Sequence, residues 1–207
     1  MRKNKKNKRF IYLISPNEIR EEEFYSNLNQ VLSSKKVSFF QLRLKKESLK
    51  KQINIGKKIK KICKKHKVKF LINDHPIIAK RVNADGCHLG QKDMNILNAK
   101  KILKNKIIGV TCHNSLYLAK KAILNGANYL DFGAFYASKT KKVKYKASLK
   151  ILSLAKKLTN IPIVAIGGIK DTNYKKLLLN KANFLAISNY IWNNKKLNPI
   201  EAINKLV

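Results

Sequence analysis

The chain alternates short apolar runs with longer lysine-rich amphipathic stretches, and this alternation recurs eight times. Each apolar run is nearly continuous, as expected for a strand that is covered on both faces. Such strands, alternating with helical segments, favour a parallel sheet of βα units over a sandwich or a helical bundle. The predicted strands are Phe10–Ile14, Val37–Leu42, Val68–Ile72, Gly86–Leu89, Ile107–Val110, Tyr129–Phe132, Ile163–Ile166 and Phe184–Ile187.

The segments between the strands carry apolar residues at spacings of three and four, which is typical of amphipathic helices. One of them presents Ile55, Ile59 and Ile62 on a single face, with lysines between them. Eight such units in 207 residues predict a compact (β/α)₈ TIM barrel as a single domain. An open doubly wound sheet is the alternative, but its first turn is usually rich in glycine, and residues 15–17 contain none.

The N-terminus is basic and leads into only five apolar residues, Phe10–Ile14. This run is far shorter than a secretion signal or the ~20 residues that cross a bilayer. We therefore predict a disordered basic tail over residues 1–9, a catalytic barrel over residues 10–207, and no membrane association. Cys63, Cys87 and Cys112 form no even framework or C-x-x-C pair, which favours a reduced, cytoplasmic compartment without disulfides.

The formal net charge is +35, from 46 Lys+Arg against 11 Asp+Glu. Such a charge ordinarily indicates a polyanionic partner. However, the excess is nearly all lysine and is spread through every amphipathic segment, whereas nucleic-acid proteins favour arginine forks and interleaved aromatic residues. We therefore predict no specific nucleic-acid partner, and only non-specific polyanion binding at low salt.

In a parallel barrel the active site lies at the carboxyl ends of the strands, so the residues that close each apolar run are the candidates. The second strand ends in Gln41-Leu42-Arg43-Leu44-Lys45. The period of two in an extended chain places Gln41, Arg43 and Lys45 on one side. Because arginine is scarce in this chain and its planar fork suits phosphate oxygens, we interpret Arg43 as a phosphate ligand. For Lys45 by itself, in a chain so rich in lysine, an ordinary solvated strand edge is the default interpretation.

Two of the few acidic residues follow neighbouring strands. Asp74 comes after Asn73 at the end of the third strand, and Asp93 lies in the loop after the fourth. Two carboxylates among cations favour Mg²⁺, which takes one or two protein oxygens and completes its shell with substrate phosphates and water. An Asx turn at Asp74 and a helix N-cap at Asp93 are the structural alternatives.

Two Cys-His pairs, Cys87-His88 and Cys112-His113, invite interpretation as a zinc site. Their spacing matches no usual zinc pattern, and adjacent residues of a strand point to opposite faces. A Cys–His nucleophile pair is disfavoured for the same reason, except through a contact between strands. The fifth strand also carries Thr111, which offers a hydroxyl to the same end of the barrel.

The last three strands end in residues suited to binding phosphate. The loop after the sixth strand carries two hydroxyls and several lysines, Ser138 to Lys141, which can donate to phosphate oxygens, although a surface turn is the alternative. The seventh strand ends in Gly167-Gly168 and the eighth in Ile187-Ser188. Loops after strands seven and eight commonly bind phosphate in barrels, because glycine allows close backbone approach and a helix N-terminus attracts the anion.

Seven strand-end segments follow one another from residue 41 to residue 188: QLRLK, IND, ADGCHLGQKD, IIGVTCH, GAFYASKTK, IPIVAIGGI and FLAIS. In this order they resemble the successive motifs of the thiamine phosphate synthase family. The resemblance implies a transferase in which the nitrogen of a thiazole phosphate, carboxylated or not, displaces pyrophosphate from 4-amino-2-methyl-5-(diphosphooxymethyl)pyrimidine. The product would be thiamine monophosphate.

The resemblance also implies roles for individual residues, motif by motif. Asp74 and Asp93 would bind Mg²⁺, and the catalytic residues would be Arg43, Thr111 and Lys141. The substrate-binding residues would be Gln41, Leu42, Arg43, Leu44, Lys45, Asn73, Thr111, Ser138, Lys139, Thr140, Lys141, Gly167, Gly168, Ile187 and Ser188.

Thr111 stands where the family more often has serine, and Ala137-Ser138 replace the usual Pro-Thr. Asp131, Cys112 and His113 receive no role from the resemblance. Two other functions stay open: a relative of the thiazole tautomerase without synthase activity, and a non-catalytic polyanion-binding module. The retained cations and acids favour the synthase, since a tautomerase has no pyrophosphate to bind. A homo-oligomer is compatible with the sequence.

Overall fold

The computed structural model describes residues 9–137 and 145–206, and its eight parallel strands close into one barrel. The strands pair in chain order, and the last pairs back with the first. The predicted (β/α)₈ architecture is therefore confirmed. The strands are β1 Ile11–Ile14, β2 Val37–Leu42, β3 Lys69–Asn73, β4 Gly86–Leu89, β5 Ile107–His113, β6 Tyr129–Gly133, β7 Ile163–Ile166 and β8 Phe184–Ile187.

Four strands, β2, β4, β7 and β8, have the predicted bounds, and the ends of the other four differ from prediction by one to three residues. β5 continues to His113 because Thr111 pairs with Asp131 and His113 with Phe132, and β6 continues to Gly133 because this residue pairs with Ile166 of β7. Ladder hydrogen bonds do not require apolar side chains. The helices of the described residues are α1 Glu21–Ser33, α2 Leu49–Lys65, α3 Pro76–Arg81, α4 Ile96–Leu103, α5 Leu116–Leu124, α6 Lys150–Leu158, α7 Tyr174–Leu179, α8 Asn189–Trp192 and α9 Pro199–Asn204.

Side-chain caps fix where several helices begin. The side chains of Ser48, Asn95 and Ser115 accept backbone N–H groups at the starts of α2, α4 and α5. Asn198 and Glu201 form a reciprocal capping box at α9. Each cap satisfies a backbone donor that the helix itself leaves unpaired. The loops that precede α2, α4 and α5, at the carboxyl end of the barrel, are thereby held at both of their ends.

Alternation along the strands divides the buried side chains into two cores. The larger core packs between the strands and the helices. The smaller core fills the barrel interior and includes Tyr12, Leu71 and Tyr129. Gly109 leaves room for the Tyr129 ring, since a Cβ at this position would lie 1.8 Å from the ring atom Cζ. The interior is therefore packed, and ligands have access to the carboxyl ends of the strands.

Residues 1–8 of the predicted tail lie outside the described residues. Arg9 is described, and its guanidinium donates to the carbonyls of His66 and Lys67, where α2 ends, at 3.4 and 3.2 Å. Among the residues that the structure describes, no helix is long and apolar enough to cross a bilayer.

Candidate active site

The polar residues that end β2 and β3 lie together at the carboxyl end of the barrel. Gln41 is 2% exposed, and its Nε2 donates to Asn73 Oδ1 at 3.2 Å. The guanidinium of Arg43 donates to Asn17 Oδ1 at 3.1 Å. Burial lowers the pKa of Arg43, and the nearby carboxylate of Asp74 acts in the opposite direction. Arg43 therefore presents its charge beside an acidic group.

The carboxyl groups of Asp74 and Asp93 are close enough for each to shift the pKa of the other. Burial acts to raise the pKa of Asp74, but hydrogen bonds from Lys45, whose Nζ lies 2.7 Å from Oδ2, and from Asp93 outweigh it and hold the pKa below its ordinary value. Burial raises the pKa of Asp93, and the bond and charge of Asp74 add to the increase. One carboxyl group is thus readily ionised while its partner retains a proton more firmly.

Local backbone geometry turns the two acids towards each other. Asp74 has φ +64°, a left-handed conformation that Asp and Asn tolerate better than other residues with side chains, and its N–H donates to the carbonyl of His88 at 2.8 Å. Asp93 accepts the N–H of Gly90 at 2.7 Å. The N-cap alternative for Asp93 is wrong, because the N-cap of α4 is Asn95.

The donor set of this acid pair is compatible with Mg²⁺. Both side chains offer oxygen ligands for a cation. Among the described residues, no group of three or more His, Cys, Asp or Glu side chains could hold a metal ion. A two-carboxylate site leaves most positions of the ion to water and phosphate, which is the coordination that Mg²⁺ commonly has.

Three residues predicted to bind substrate have side chains that point away from the site. Leu42, Leu44 and Ile187 are buried in the core between strands and helices, so only their backbone atoms can contact a ligand. Ser188 follows β8, and its hydroxyl donates to the carbonyl of Ser15 at 3.0 Å. This bond joins the ends of β8 and β1.

The loop after β7 depends on two glycines. Gly167 has φ +105° and Gly168 has φ +62°. A Cβ would lie 2.3 Å from the Cβ of Ala134 at the first position and 2.2 Å from the carbonyl oxygen of Ala137 at the second. Asn173 donates to the carbonyl of Gly168 at 3.0 Å. The loop is therefore held close to the segment after β6, with its backbone accessible at the carboxyl end of the barrel.

Ser138, Lys139, Thr140 and Lys141 lie outside the described residues, so their predicted roles stay predictions. A cavity of about 550 Å³ opens beside Tyr145 and Lys146. His113 stacks on Tyr145 at one side of it, with 4.2 Å between the ring centroids. Gln91, from the loop after β4 that also carries Asp93, lines the cavity. Its lining residues are Gln91, His113, Asn114, Ser115, Leu118, Tyr145 and Lys146.

Inside the barrel, a buried hydrogen-bond chain connects Tyr12, Tyr129, His88 and Thr111. The hydroxyls of Tyr12 and Tyr129 are 2.7 Å apart, and Tyr129 Oη lies 2.8 Å from His88 Nδ1. His88 Nε2 lies 2.8 Å from Thr111 Oγ1. Burial lowers the pKa of His88 to about 4, so the imidazole is neutral near pH 7. Burial also raises the pKa of Asp131, whose Oδ2 lies 3.8 Å from His88 Nε2.

This buried hydrogen-bond chain was not predicted from the sequence, although one of its members, Thr111, is a predicted site residue. Tyr12 and Tyr129 occupy inward positions of β1 and β6, and the alternation of the strands is the signal that could have indicated them. The Cys-His interpretations fail because Cys87 and Cys112 face the helices, whereas His88 faces the interior.

A model of the thiamine monophosphate synthase family matches residues 11–191, a range that includes all eight strands. The chain belongs to this family. A thiamine-phosphate synthase of Pelagibacter ubique (strain HTCC1062) is 72% identical to it over 206 residues, covering 100% of both chains. A thiamine-phosphate synthase of Erythrobacter litoralis (strain HTCC2594) is 37% identical over 197 residues, covering 93% of this chain and 92% of the relative.

Solved structures agree with membership of the thiamine monophosphate synthase family. The thiamine phosphate pyrophosphorylase of Pyrococcus furiosus superposes with a TM-score of 0.85 at 28% identity, covering 97% of this chain and 94% of that one. A 3-hexulose-6-phosphate synthase of Salmonella typhimurium, at 15% identity and a TM-score of 0.69 over 95% and 96% of the two chains, shares the fold alone. As a member of the thiamine monophosphate synthase family, the chain is a transferase.

Proposed function

We propose that this chain joins 4-amino-2-methyl-5-(diphosphooxymethyl)pyrimidine to 4-methyl-5-(2-phosphooxyethyl)thiazole and releases pyrophosphate and thiamine monophosphate in the cytoplasm. With the carboxylated thiazole, the carboxyl group would leave as CO₂ as well. Family membership supports the reaction class. One observation in the structure supports it most strongly: Asp74 is ion-paired to Lys45 at 2.7 Å, and its charge acts on both Asp93 and Arg43. Acidic side chains that could hold Mg²⁺, next to cationic side chains that could bind phosphate oxygens, are compatible with binding of a magnesium diphosphate.

In this proposal the diphosphate binds between β2 and β3. Arg43 offers a planar fork that can donate two parallel hydrogen bonds to phosphate oxygens. Lys45 is half exposed and ion-paired to Asp74, so its ammonium can turn to the diphosphate when a ligand arrives. Asp74 and Asp93 would hold Mg²⁺, which would neutralise charge on the diphosphate oxygens. Lys141, outside the described residues, would add a further cation.

The reaction exchanges one bond for another. The thiazole nitrogen forms a C–N bond to the methylene carbon of the pyrimidine, and the C–O bond to the diphosphate breaks with its electron pair remaining on oxygen. Because the nitrogen attacks through a lone pair, no side chain has to remove a proton. Arg43 and Lys45 stabilise the leaving group electrostatically as its charge grows, which is the largest contribution that a preorganised site usually makes.

The thiazole phosphate would bind on the opposite side of the barrel mouth. The accessible backbone of Gly167 and Gly168 supports this placement, as does Ser188 at the start of α8. Gly167 and Gly168 lie in the loop after β7 and Ser188 follows β8, and the loops after these two strands bind phosphate in many barrels. Ser138 and Thr140 would complete the site.

The direct test is an assay with both substrates and Mg²⁺, in which thiamine monophosphate and pyrophosphate are each quantified. The proposal predicts equimolar products, complete loss of turnover with excess chelator, and recovery when Mg²⁺ is added back. Absence of product at saturating substrates would favour a tautomerase-like relative. Turnover that survives removal of divalent metal would contradict the role of Asp74 and Asp93.

A further inference from the structure

The donor order within the buried hydrogen-bond chain can be worked out from its partners. In the described part of the protein, the Tyr12 hydroxyl has one hydrogen-bond partner, the hydroxyl of Tyr129, and Tyr12 is 2% exposed. Tyr129 is also buried and bonds to Tyr12 and His88. A neutral imidazole has one donor nitrogen and one acceptor nitrogen. Each hydroxyl proton must therefore find an acceptor inside this short series.

One order gives every buried proton an acceptor. Tyr12 donates to the oxygen of Tyr129, Tyr129 donates to His88 Nδ1, and His88 Nε2–H donates to Thr111 Oγ1. The Thr111 hydroxyl then keeps its own hydrogen. Thr111 is only partly buried, so this hydrogen can point to the carboxyl end of the barrel.

The reverse order leaves a proton stranded. If Nδ1 of His88 carries the hydrogen, Tyr129 accepts it and must donate to Tyr12, whose own O–H then has no acceptor among the described residues. A doubly protonated imidazole gives the same result, because Nδ1 again donates to Tyr129. A buried donor without an acceptor loses its hydration uncompensated, so both arrangements are disfavoured.

Asp131 is not a member of the hydrogen-bond chain, but its position favours the same donor order, with the hydrogen of His88 on Nε2. Its Oδ2 lies 3.8 Å from His88 Nε2, and Oδ1 is buried without a hydrogen-bond partner among the described residues. An oxygen that carries no proton, at this distance, attracts the partial positive charge of an Nε2–H group and repels a lone pair on the same atom. The position of Asp131 thus stabilises a hydrogen on Nε2.

We propose that Tyr12, Tyr129 and His88 are positioning residues that fix the Nε2–H tautomer of His88 and so present the Thr111 hydroxyl as a hydrogen-bond donor to the pyrimidine diphosphate. The inference rests on the proposed function for the identity of the ligand. The proton order itself depends only on contacts within the protein.

The first experiment reads the proton order without any substrate. Full-length protein labelled with ¹⁵N-histidine gives long-range ¹H–¹⁵N spectra in which protonated and bare ring nitrogens are distinguished, and His88→Gln identifies the signals of His88. We expect hydrogen on Nε2 and a bare Nδ1 in the unliganded protein near pH 7. Hydrogen on Nδ1, or on both nitrogens, would overturn the proposal.

Two matched tyrosine variants test the direction of the bonds. Tyr12→Phe leaves Tyr129 free to donate to His88, so the Nε2–H tautomer is retained. Tyr129→Phe removes the donor to Nδ1, so we expect mixed tautomers in the spectrum. Both changes delete one hydroxyl from the same aromatic cluster. A purely structural role predicts the same tautomer in both variants, and that result would count against the proposal.

The kinetic test concerns Thr111, the last residue of the hydrogen-bond chain. Thr111→Val keeps the shape but removes the donor, and we expect kcat/KM for the pyrimidine diphosphate to fall about tenfold to hundredfold, the range of one hydrogen bond to a charged group. Thr111→Ser should restore most of the loss. Equal activity of the Val and Ser variants would refute donation by Thr111. If the wild type made no thiamine monophosphate while His88 showed the Nε2–H tautomer, the proposed function would fail and the proton order would stand.

Discussion

Asp74 and Asp93 follow different strands, yet each carboxyl group shifts the pKa of the other, and the Nζ of Lys45 lies 2.7 Å from Oδ2 of Asp74. The proximity of the two acids joins the loops after β3 and β4. It makes the charge of Asp74 the centre of the proposed diphosphate site.

Replacing Asp74 with Asn should abolish most turnover while leaving the fold intact. The amide keeps the shape but cannot supply an ionised oxygen, so we expect kcat to fall about 10²- to 10³-fold, as when one preorganised electrostatic group is lost. Thermal unfolding should remain cooperative, with a midpoint close to that of the wild type. Turnover at the wild-type rate would contradict the proposed site.

Asp85→Asn provides the matched control, because Asp85 precedes β4 at the opposite end of the barrel. Its Oδ2 accepts from Lys60 at 2.7 Å and from the N–H of Phe70 at 2.8 Å. We expect a loss of about 1–3 kcal/mol in the free energy of unfolding at pH 7, the usual cost of a broken charged hydrogen bond, and an unchanged kcat.

The difference in stability between the wild type and Asp85→Asn should depend on pH. Burial acts to raise the pKa of Asp85, but the bonds from Lys60 and Phe70 outweigh it and lower the pKa from its ordinary value of 3.8. A lowered folded-state pKa gives stability that is present above 3.8 and lost as the pH falls through the lower folded value. Denaturant titrations should therefore show that wild type and variant converge only in strong acid.

Acidification should also destabilise the protein through His88. Burial lowers the pKa of His88 from 6.5 to about 4, so its contribution to stability is complete above 6.5 and is lost between 6.5 and about 4. At ~1.4 kcal/mol per pKa unit, this amounts to about 3 kcal/mol. Unfolding free energies measured across this range should fall more steeply for the wild type than for His88→Gln. Parallel curves would show that His88 is not the buried group responsible.

Arg43→Lys should impair binding of the pyrimidine diphosphate although the charge is kept. A lysine cannot make two parallel hydrogen bonds in one plane, so we expect kcat/KM to fall about tenfold, equivalent to about 1.4 kcal/mol. The control is Arg20→Lys, the same exchange at an exposed position before α1. A similar effect of both substitutions would indicate a general electrostatic cause.

Gly168→Ala should weaken binding of the thiazole phosphate. The added Cβ would lie 2.2 Å from the backbone oxygen of Ala137, so the loop after β7 must move. Gly126→Ala introduces a side chain at a similar φ, +79°, but meets only the end of the flexible Lys100 side chain. We expect both variants to lose about 1–2 kcal/mol of stability, whereas only Gly168→Ala should raise KM for the thiazole phosphate.

Much of the site could be predicted because it lies at strand ends. The apolar runs are readable without a structure, and the barrel rule then identifies Gln41, Arg43 and Asp74 as residues of the active end. The contacts of these side chains could not be predicted. Nothing in the local sequence shows that Asp74 binds Lys45, or that Leu42 and Leu44 offer only their backbone to the site.

The sequence by itself determined the eight strands, the closed barrel architecture and the face on which the chemistry lies, because the periods of strands and helices are local properties of the chain. Only the tertiary structure decided which polar groups meet. The hydroxyls of Tyr12 and Tyr129 are 117 residues apart in the chain and 2.7 Å apart in space. Such a contact depends on ring closure and strand register, which arise from packing across the whole barrel rather than from any one segment.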